Sequence, residues 1–516
     1  MKQRMLLLLM AAVLAVNLMA CGEKPPATGA MPLNEPLDDT LETYEGTAIV
    51  LSDATITVDG TAITADTSAA VYAAKDIVYY EDGKDFTYGE GSEKDAHTKE
   101  EADAHTVVHI TKAGQYVLSG ALSKGQIAVD LGEDAAKDPT AVVTLVLDGV
   151  DITCTVAPAV IFYNVYECGS KEESIAQKDV DTTAAGARVI LANNSRNRVD
   201  GAYVARIYAP GTVELNENGT VVEDAKKLHK YDGAFYSKMS MTIQGGHNGS
   251  GNGALLIEAA NEGLDSELHL TINGGVIQIE SGNDGINTNE DNVSVTTING
   301  GVLSIVVTGA TGEGDGIDSN GWLVINGGMV VAQACGFSGD AGIDSDKGIH
   351  INGGTVTASG NMLDRIEDGG QTFVVFTMGQ SRKGGFVQLK NTAGDTVVSQ
   401  SIANNYSILV MSSPRMIPGE YTLWNGDTQL QGSSGQGGGM RPGGMMPPDG
   451  MEGQPPQRPE GEMGQPPEGM EPPAWESGQQ PDRPEGMPDR HNQSAAGGEV
   501  SDVFTIVEGA NYFQIA

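Results

Sequence analysis

The chain has 516 residues, of which 69 are Gly and only 5% are aromatic. Its formal net charge is −39 at pH 7, and a surface of that sign repels nucleic acid and anionic lipid, so neither is an expected partner. The same surface attracts cations, and divalent ones can bridge it to another anionic polymer. That points outside the cell, where calcium and polysaccharides are plentiful.

Lys2 and Arg4 precede an apolar run over residues 5–16. The run is too short for a membrane-spanning helix, and residues 1–21 read as a secretory signal. Leu18-Met19-Ala20-Cys21 resembles the lipobox of bacterial lipoproteins. The resemblance implies cleavage before Cys21, lipid attachment to that residue and anchorage to the membrane on the extracellular side. An ordinary signal peptide with an incidental Cys is the alternative. Residues 22–45, rich in Pro, Thr and acidic side chains, read as a flexible linker. Cys154, Cys168 and Cys335 have no metal-ligand spacing; a Cys154–Cys168 disulfide and small buried side chains are both open readings.

From residue 46 to about residue 370 the sequence is short β-branched runs broken by Gly, Asn and Asp, such as Val107-Val108-His109-Ile110 and Val189-Ile190-Leu191. No helical periodicity persists, and these runs predict strands of three to six residues. Ile-Asn-Gly-Gly occurs at 272–275, 298–301, 325–328 and 351–354, with Asn spacings of 26, 27 and 26. A fainter copy, Ile243-Gln244-Gly245-Gly246, lies 29 residues upstream. Self-similarity of this period means stacking, because one unit cannot bury its apolar face alone. In one unit, strands at 270–272, 276–280 and 285–287 alternate with turns at 273–275, 281–284 and 288–292. Three strands and three turns in about 26 residues make one rung of a parallel β-helix, with Leu270, Ile272, Ile277 and Ile279 expected inside. Stacked Asn amides bond to one another and Gly permits the tight corner, so the Asn-Gly-Gly column reads as scaffold.

Residues 371–431 carry strands without the repeat and read as a small antiparallel β module capping the stack. Residues 432–500 are a low-complexity Gly/Pro/Met insertion that cannot bury enough apolar surface to order itself. Its seven Met residues between Met440 and Met487 are weak candidates for soft Cu(I). Residues 501–516 supply a final strand returning to the module.

The acidic corners are the main candidate chemistry. Stacking places Asp265, Asn287, Asp318 and Asp344 in one column, with Asp284, Asp315 and Asp340 beside it. Like charges ~5 Å apart repel by about 1 kcal/mol even in a high dielectric, so such a column needs a cation or full solvation. Hard oxygen ligands suit Ca²⁺; the competing reading is that Asp and Asn simply favour turns. His105-x3-His109 could grip a metal, but His97, Glu100, Glu101 and Asp103 read as an exposed loop that fixes no geometry. Aromatic residues are sparse in the repeats and denser at Tyr79, Tyr80, Phe86 and Tyr88, and at Tyr203, Tyr208, Tyr231 and Phe235. Any sugar-stacking platform is therefore expected toward the N-terminal half, although core packing explains these rings equally well.

Gly114-Gln115-Tyr116-Val117-Leu118-Ser119-Gly120, then residues 125–129, 143–152 and 232–237, the Asp-Gly-Ile rungs, and Ser412-Ser413-Pro414 with residues 419–423 together resemble a bacterial surface family. That family comprises calcium-associated, right-handed parallel β-helix carbohydrate-binding proteins of the clostridial cellulose- and pectin-binding type. The resemblance runs from residue 107 to 430 and implies an all-β, right-handed parallel β-helix, calcium on the rungs and polysaccharide as partner. Two rungs depart from it, with Glu262-Gly263-Leu264 and Ala341-Gly342-Ile343 in place of Asp-Gly-Ile, and residues 216–230 form an insertion.

The leading expectation is a non-catalytic, cell-surface binder of pectic, uronate or cellulose-like polysaccharide. A lyase needs a base and cations around the uronate, and residues 239–346 contain no Lys or Arg. A hydrolase needs paired carboxylates, one of them a general acid, and Gly246-His247-Asn248 is a poor match to polygalacturonase chemistry. A structural adhesin or spacer is the third reading.

Overall fold

The computed structural model describes residues 42–435 and 500–516. The signal peptide, Cys21, most of the linker and nearly all of the Gly/Pro/Met insertion lie outside the described residues. The described part is nearly all β, with one six-residue α-helix, Lys99–Ala104, and two 3-10 turns. Among these residues no helix is long and apolar enough to cross a membrane.

Successive repeats lay their strands parallel and in register on the previous ones, forming three ladders. The first ladder runs Met241–Gly245, His269–Ile272, Val295–Ile298, Trp322–Ile325, Gly348–Ile351. It aligns Ile243, Ile272, Ile298, Ile325 and Ile351, each at most 1% exposed, in one column of branched side chains. The second follows each turn, through Ala254–Ala259, Val276–Ser281, Val302–Val307, Met329–Gln333 and Thr355–Gly360. The third runs Gly233–Ser237, Glu262–Ser266, Ile286–Thr288, Ile317–Ser319 and stacks Phe235, Leu264, Ile286 and Ile317. Burying each such side chain contributes roughly 1.5–3 kcal/mol, which no single unit could gain alone. Leu270, Ile272, Ile277 and Ile279 are inside, as alternation requires.

The Asn column forms as a chain of amide bonds. Asn299 Nδ2 donates to Asn273 Oδ1 (2.8 Å), Asn326 to Asn299 (2.9 Å) and Asn352 to Asn326 (2.8 Å). The second Gly of each pair takes the left-handed backbone, as at Gly301 with φ 84°. A Cβ there would fall 2.5 Å from the Gly275 carbonyl oxygen, so the corner accepts only Gly.

Several expectations are corrected. Strands reach nine residues in Gly114–Leu122 and twelve in Val143–Cys154, because bends at Gly120 and Gly149 (φ 88° and 84°) carry the chain between ladders where no Asn-Gly-Gly corner intervenes. Residues 42–45 are docked: the Tyr44 ring packs at a tilt against His247, centroids 4.5 Å apart, and its hydroxyl accepts from Asn193 N (3.1 Å). Thr271 and His269, on the outward side of the first ladder, are buried. Residues 167–185 cross over them: Gly169 lies against His269, Lys171 meets Glu290 at 2.7 Å, and Thr182 donates to Thr271 Oγ1 (2.7 Å).

Antiparallel strands flank the ladders at both ends. The third ladder extends back from Gly233–Ser237 through Val160–Asn164 and Gly125–Asp130 to Thr106–Ile110, where Val71–Ala74 pairs antiparallel. Tyr406–Ser412 pairs antiparallel with Thr355–Gly360 at the end of the second. The C-terminal module has its own core, including Phe376, Leu389, Leu423, Phe504 and Phe513. It is mixed instead of purely antiparallel. Phe504–Ile506 pairs antiparallel with Gly419–Asn425, but a further strand, Ala510–Ile515, runs parallel to Phe373–Arg382.

Candidate functional site

The third ladder places the acidic corners. Asp265, Asn287 and Asp318 are register partners, and the parallel bridge Ile317–Ile343 continues the column toward Asp344. Asp284, Asp315 and Asp340 lie beside it, each bonded to the backbone of a neighbouring rung. Asp284 Oδ1 accepts from Asp315 N (2.7 Å), Asp315 Oδ1 from Ala341 N (2.5 Å) and Asp340 Oδ2 from Gly314 N (2.6 Å). The seven predicted residues are thus brought to one edge, and three of them also act as turn residues.

The tightest grouping sits one rung earlier. Asp232, Glu262 and Asp265 each offer an oxygen, all within 4.8 Å of one another. They are 9%, 5% and 0% exposed. A Cβ at Gly233 would fall 2.5 Å from the Asp265 Cβ, so Gly233 lets the carboxylates approach. Asn287 Nδ2 donates to Glu262 Oε1 (3.2 Å) and Asn289 Nδ2 to Asp265 Oδ1 (2.5 Å). Glu262 Oε2, Asp265 Oδ2 and Asn287 Oδ1 are buried and have no hydrogen-bond partner.

Such orphaned acceptors are costly in a protein interior. Burial first, and then the neighbouring carboxylates, push Glu262 and Asp265 well above the usual carboxylate range. Burial and neighbouring acids likewise push Asp284, Asp318 and Asp344 up to about 7. Oxygens bound to one Ca²⁺ at about 2.3–2.6 Å can lie up to about 5 Å apart, which the 4.8 Å grouping satisfies. The residues that could hold a hard cation are therefore Asp232, Glu262, Asp265 and Asn287, with Asp284, Asp315, Asp318 and Asp344 along the same edge.

Asp232 and Glu262 were not among the predicted ligands. Glu262 replaces the Asp of the Asp-Gly-Ile rungs but stands two residues before Leu264 as Asp284 does before Ile286, so counting from the apolar column finds it. Residues 239–346 contain no Lys or Arg, but the insertion before them brings basic side chains to this edge. Lys230, from the insertion, meets Asp232 at 2.8 Å, and Lys227 meets Glu267 at 3.4 Å. Burial acts to lower the Lys230 pKa, but the Asp232 carboxylate outweighs it and the net shift is upward.

The other candidates separate. The segment around His97 is ordered, since Thr98 caps the helix reciprocally with Glu101, a Thr-x-x-Glu signal legible in the sequence. His105 is buried, bonded to Glu101 O (2.8 Å) and Thr155 N (3.1 Å), whereas His109 meets Asp76 (2.8 Å) and stacks on Tyr72. The two do not form a metal grip. Cys154, Cys168 and Cys335 are free thiols.

Residues 104–383 match the model of a family described as carbohydrate-binding domain-containing proteins. No curated protein matches the chain. A solved structure described as a polysaccharide lyase-like protein from C. thermocellum, in a gadolinium derivative, is similar at 20% identity. The match covers 60% of this chain and 93% of that one, with a TM-score of 0.30.

Proposed function

The chain belongs to the carbohydrate-binding domain-containing family, whose match takes in more than half its length, and from that premise we propose that it holds polysaccharide at the cell surface without cleaving it. In this reading the ladders wind as a right-handed parallel β-helix, lipid-anchored through Cys21 and displayed outside the cell. Calcium sits along the acidic edge and bridges it to the carboxylates of a uronate polymer. The bridge is needed because a chain of charge −39 repels an anionic glycan.

One observation carries the reading: three buried oxygens, on Glu262, Asp265 and Asn287, have no donor and fit a hard cation. Calcium there would neutralise the edge and supply positive charge toward a sugar carboxylate. The chain's own residues would hold it and keep water from its inner side.

The non-catalytic reading is supported by the state of the ammonium that meets Asp232. Lys230 is held protonated by Asp232, and a protonated amine cannot remove the proton that β-elimination requires. The test is a pull-down with polygalacturonate in 1 mM calcium and in excess chelator. Retention only in calcium is expected, and full retention in chelator sinks the bridge. Unsaturated uronides released by the purified protein would overturn the non-catalytic reading.

A further inference from the structure

Two stretches distant in sequence meet beside the repeats. Residues 77–91 are sewn to the strand Val204–Tyr208 by Glu90 N donating to Arg206 O and Tyr208 N to Tyr88 O, both 2.9 Å. That strand pairs antiparallel with Lys227–Tyr231, and the hairpin forms the opposite wall. Between them lies a groove of about 870 Å³, within the range of small-molecule sites. Ile77 and Ile207 are buried at its floor, and Tyr79, Tyr88, Tyr208 and Leu228 line its sides.

The lining suits a particular chemistry. Tyr79, Tyr88 and Tyr208 are only part-buried, so each combines an apolar ring with a hydroxyl able to reach water or a ligand. The rim charges close on one another: Lys84 meets Glu81 at 2.7 Å and Arg206 meets Glu90 at 2.9 Å. The same cations sit 5.2 Å and 5.7 Å from the centroids of Tyr88 and Tyr208, which helps fix those rings. His229 lines the groove with Nδ1 engaged by the Tyr231 hydroxyl (2.6 Å). Beyond these pairs Asp85 lines the groove, bonded to Thr87 N and Oγ1 and, among the described residues, in no ion pair. The lining therefore does not favour an anion, whereas flat rings with hydroxyls match the apolar face and hydroxyl edge of an uncharged sugar ring.

We propose that this groove is a second saccharide site, taking uncharged pyranose units by stacking on its tyrosines. It is separate from the acidic edge and needs no cation. The proposal rests on the reading of the chain as a carbohydrate binder. One wall, residues 77–91, lies outside the family match, which begins at residue 104, so the family description does not assign this site.

The test is calorimetric titration of the full chain, in excess chelator, with neutral hexaoses of β-1,4-linked glucose, xylose and mannose. Wild type, Tyr208→Ala, Leu228→Arg and Asp265→Asn are compared, and polygalacturonate pull-down in calcium is run in parallel. Leu228 is 47% exposed, so the Arg substitution fills the groove without touching the core. At least one hexaose is expected to bind wild type and Asp265→Asn alike, and to bind each groove variant about tenfold more weakly. No hexaose binding with intact polygalacturonate retention overturns this site alone, as does equal hexaose binding by both groove variants. Loss of both ligands from wild type removes the polysaccharide reading and this site together.

Discussion

At the scale of single residues, buried His269 shows how an interior polar group sets acid sensitivity. Its Nδ1 accepts from Val295 N (3.1 Å), and burial pushes its pKa down to about 4 from an ordinary 6.5. The neutral ring is therefore the stable form in the fold. Its contribution is complete above pH 6.5 and is lost as pH falls toward 4, an interval worth about 3 kcal/mol. Urea melts at pH 7 and pH 4.5 should show wild type losing roughly that much more stability than His269→Gln; equal losses would remove His269 from the account. At the Asn-Gly-Gly corner, Gly301→Ala forces a side chain into a left-handed backbone against the Gly275 carbonyl. It is expected to cost about 3 kcal/mol. Asn299→Ala removes two exposed amide bonds at a cost of about 1 kcal/mol, and the order of the two urea midpoints is the check. The amide column was legible in the sequence because identical residues recur at nearly constant spacing. His269 was not, because nothing in one repeat tells which outward face another segment will cover.

At the scale of elements, the third ladder was read well where its apolar anchor was clear and misread where the acid changed type. Ile286 and Ile317 aligned Asn287 and Asp318 correctly, whereas Glu262 was discounted and Lys230 overlooked. Both misses have one cause: stacking depends on position relative to Leu264, and an insertion projects from outside the period. Residues 167–185 were invisible for a similar reason, since their partners Thr271 and Glu290 lie about 90–120 positions away. The C-terminal module offers a test at this scale. Deleting residues 501–516 removes Phe504, Ile506, Phe513 and Ile515, each at most 7% exposed and each contributing roughly 1.5–3 kcal/mol of burial. Among the described residues, limited proteolysis of the truncated chain is expected to cut within 373–430 first while fragments of the repeat region persist. Uniform protection would mean that the last two strands are dispensable.

At the scale of the whole molecule, the acidic edge couples stability to the medium. Without a cation, removing one negative charge relieves the nest, so Glu262→Gln should melt higher than wild type in chelator. In calcium the order should reverse, because wild type keeps its full ligand set; a cation at 100 times its dissociation constant adds about 2.7 kcal/mol. A thermal shift series in which the two curves never cross would argue against a cation in the nest. The general architecture was legible from the repeat period, but its limits were not, because the terminating strands do not repeat. Those limits carry a further consequence. Parallel strands of like residues, stacked in register, are the arrangement by which fibrils recruit new chains at their tips. Here Val71–Ala74 and Tyr406–Ser412 run against the strands they cover, so at these two places the next strand reverses the polarity that another copy would continue. The direction of two short strands interrupts a self-templating pattern where they lie.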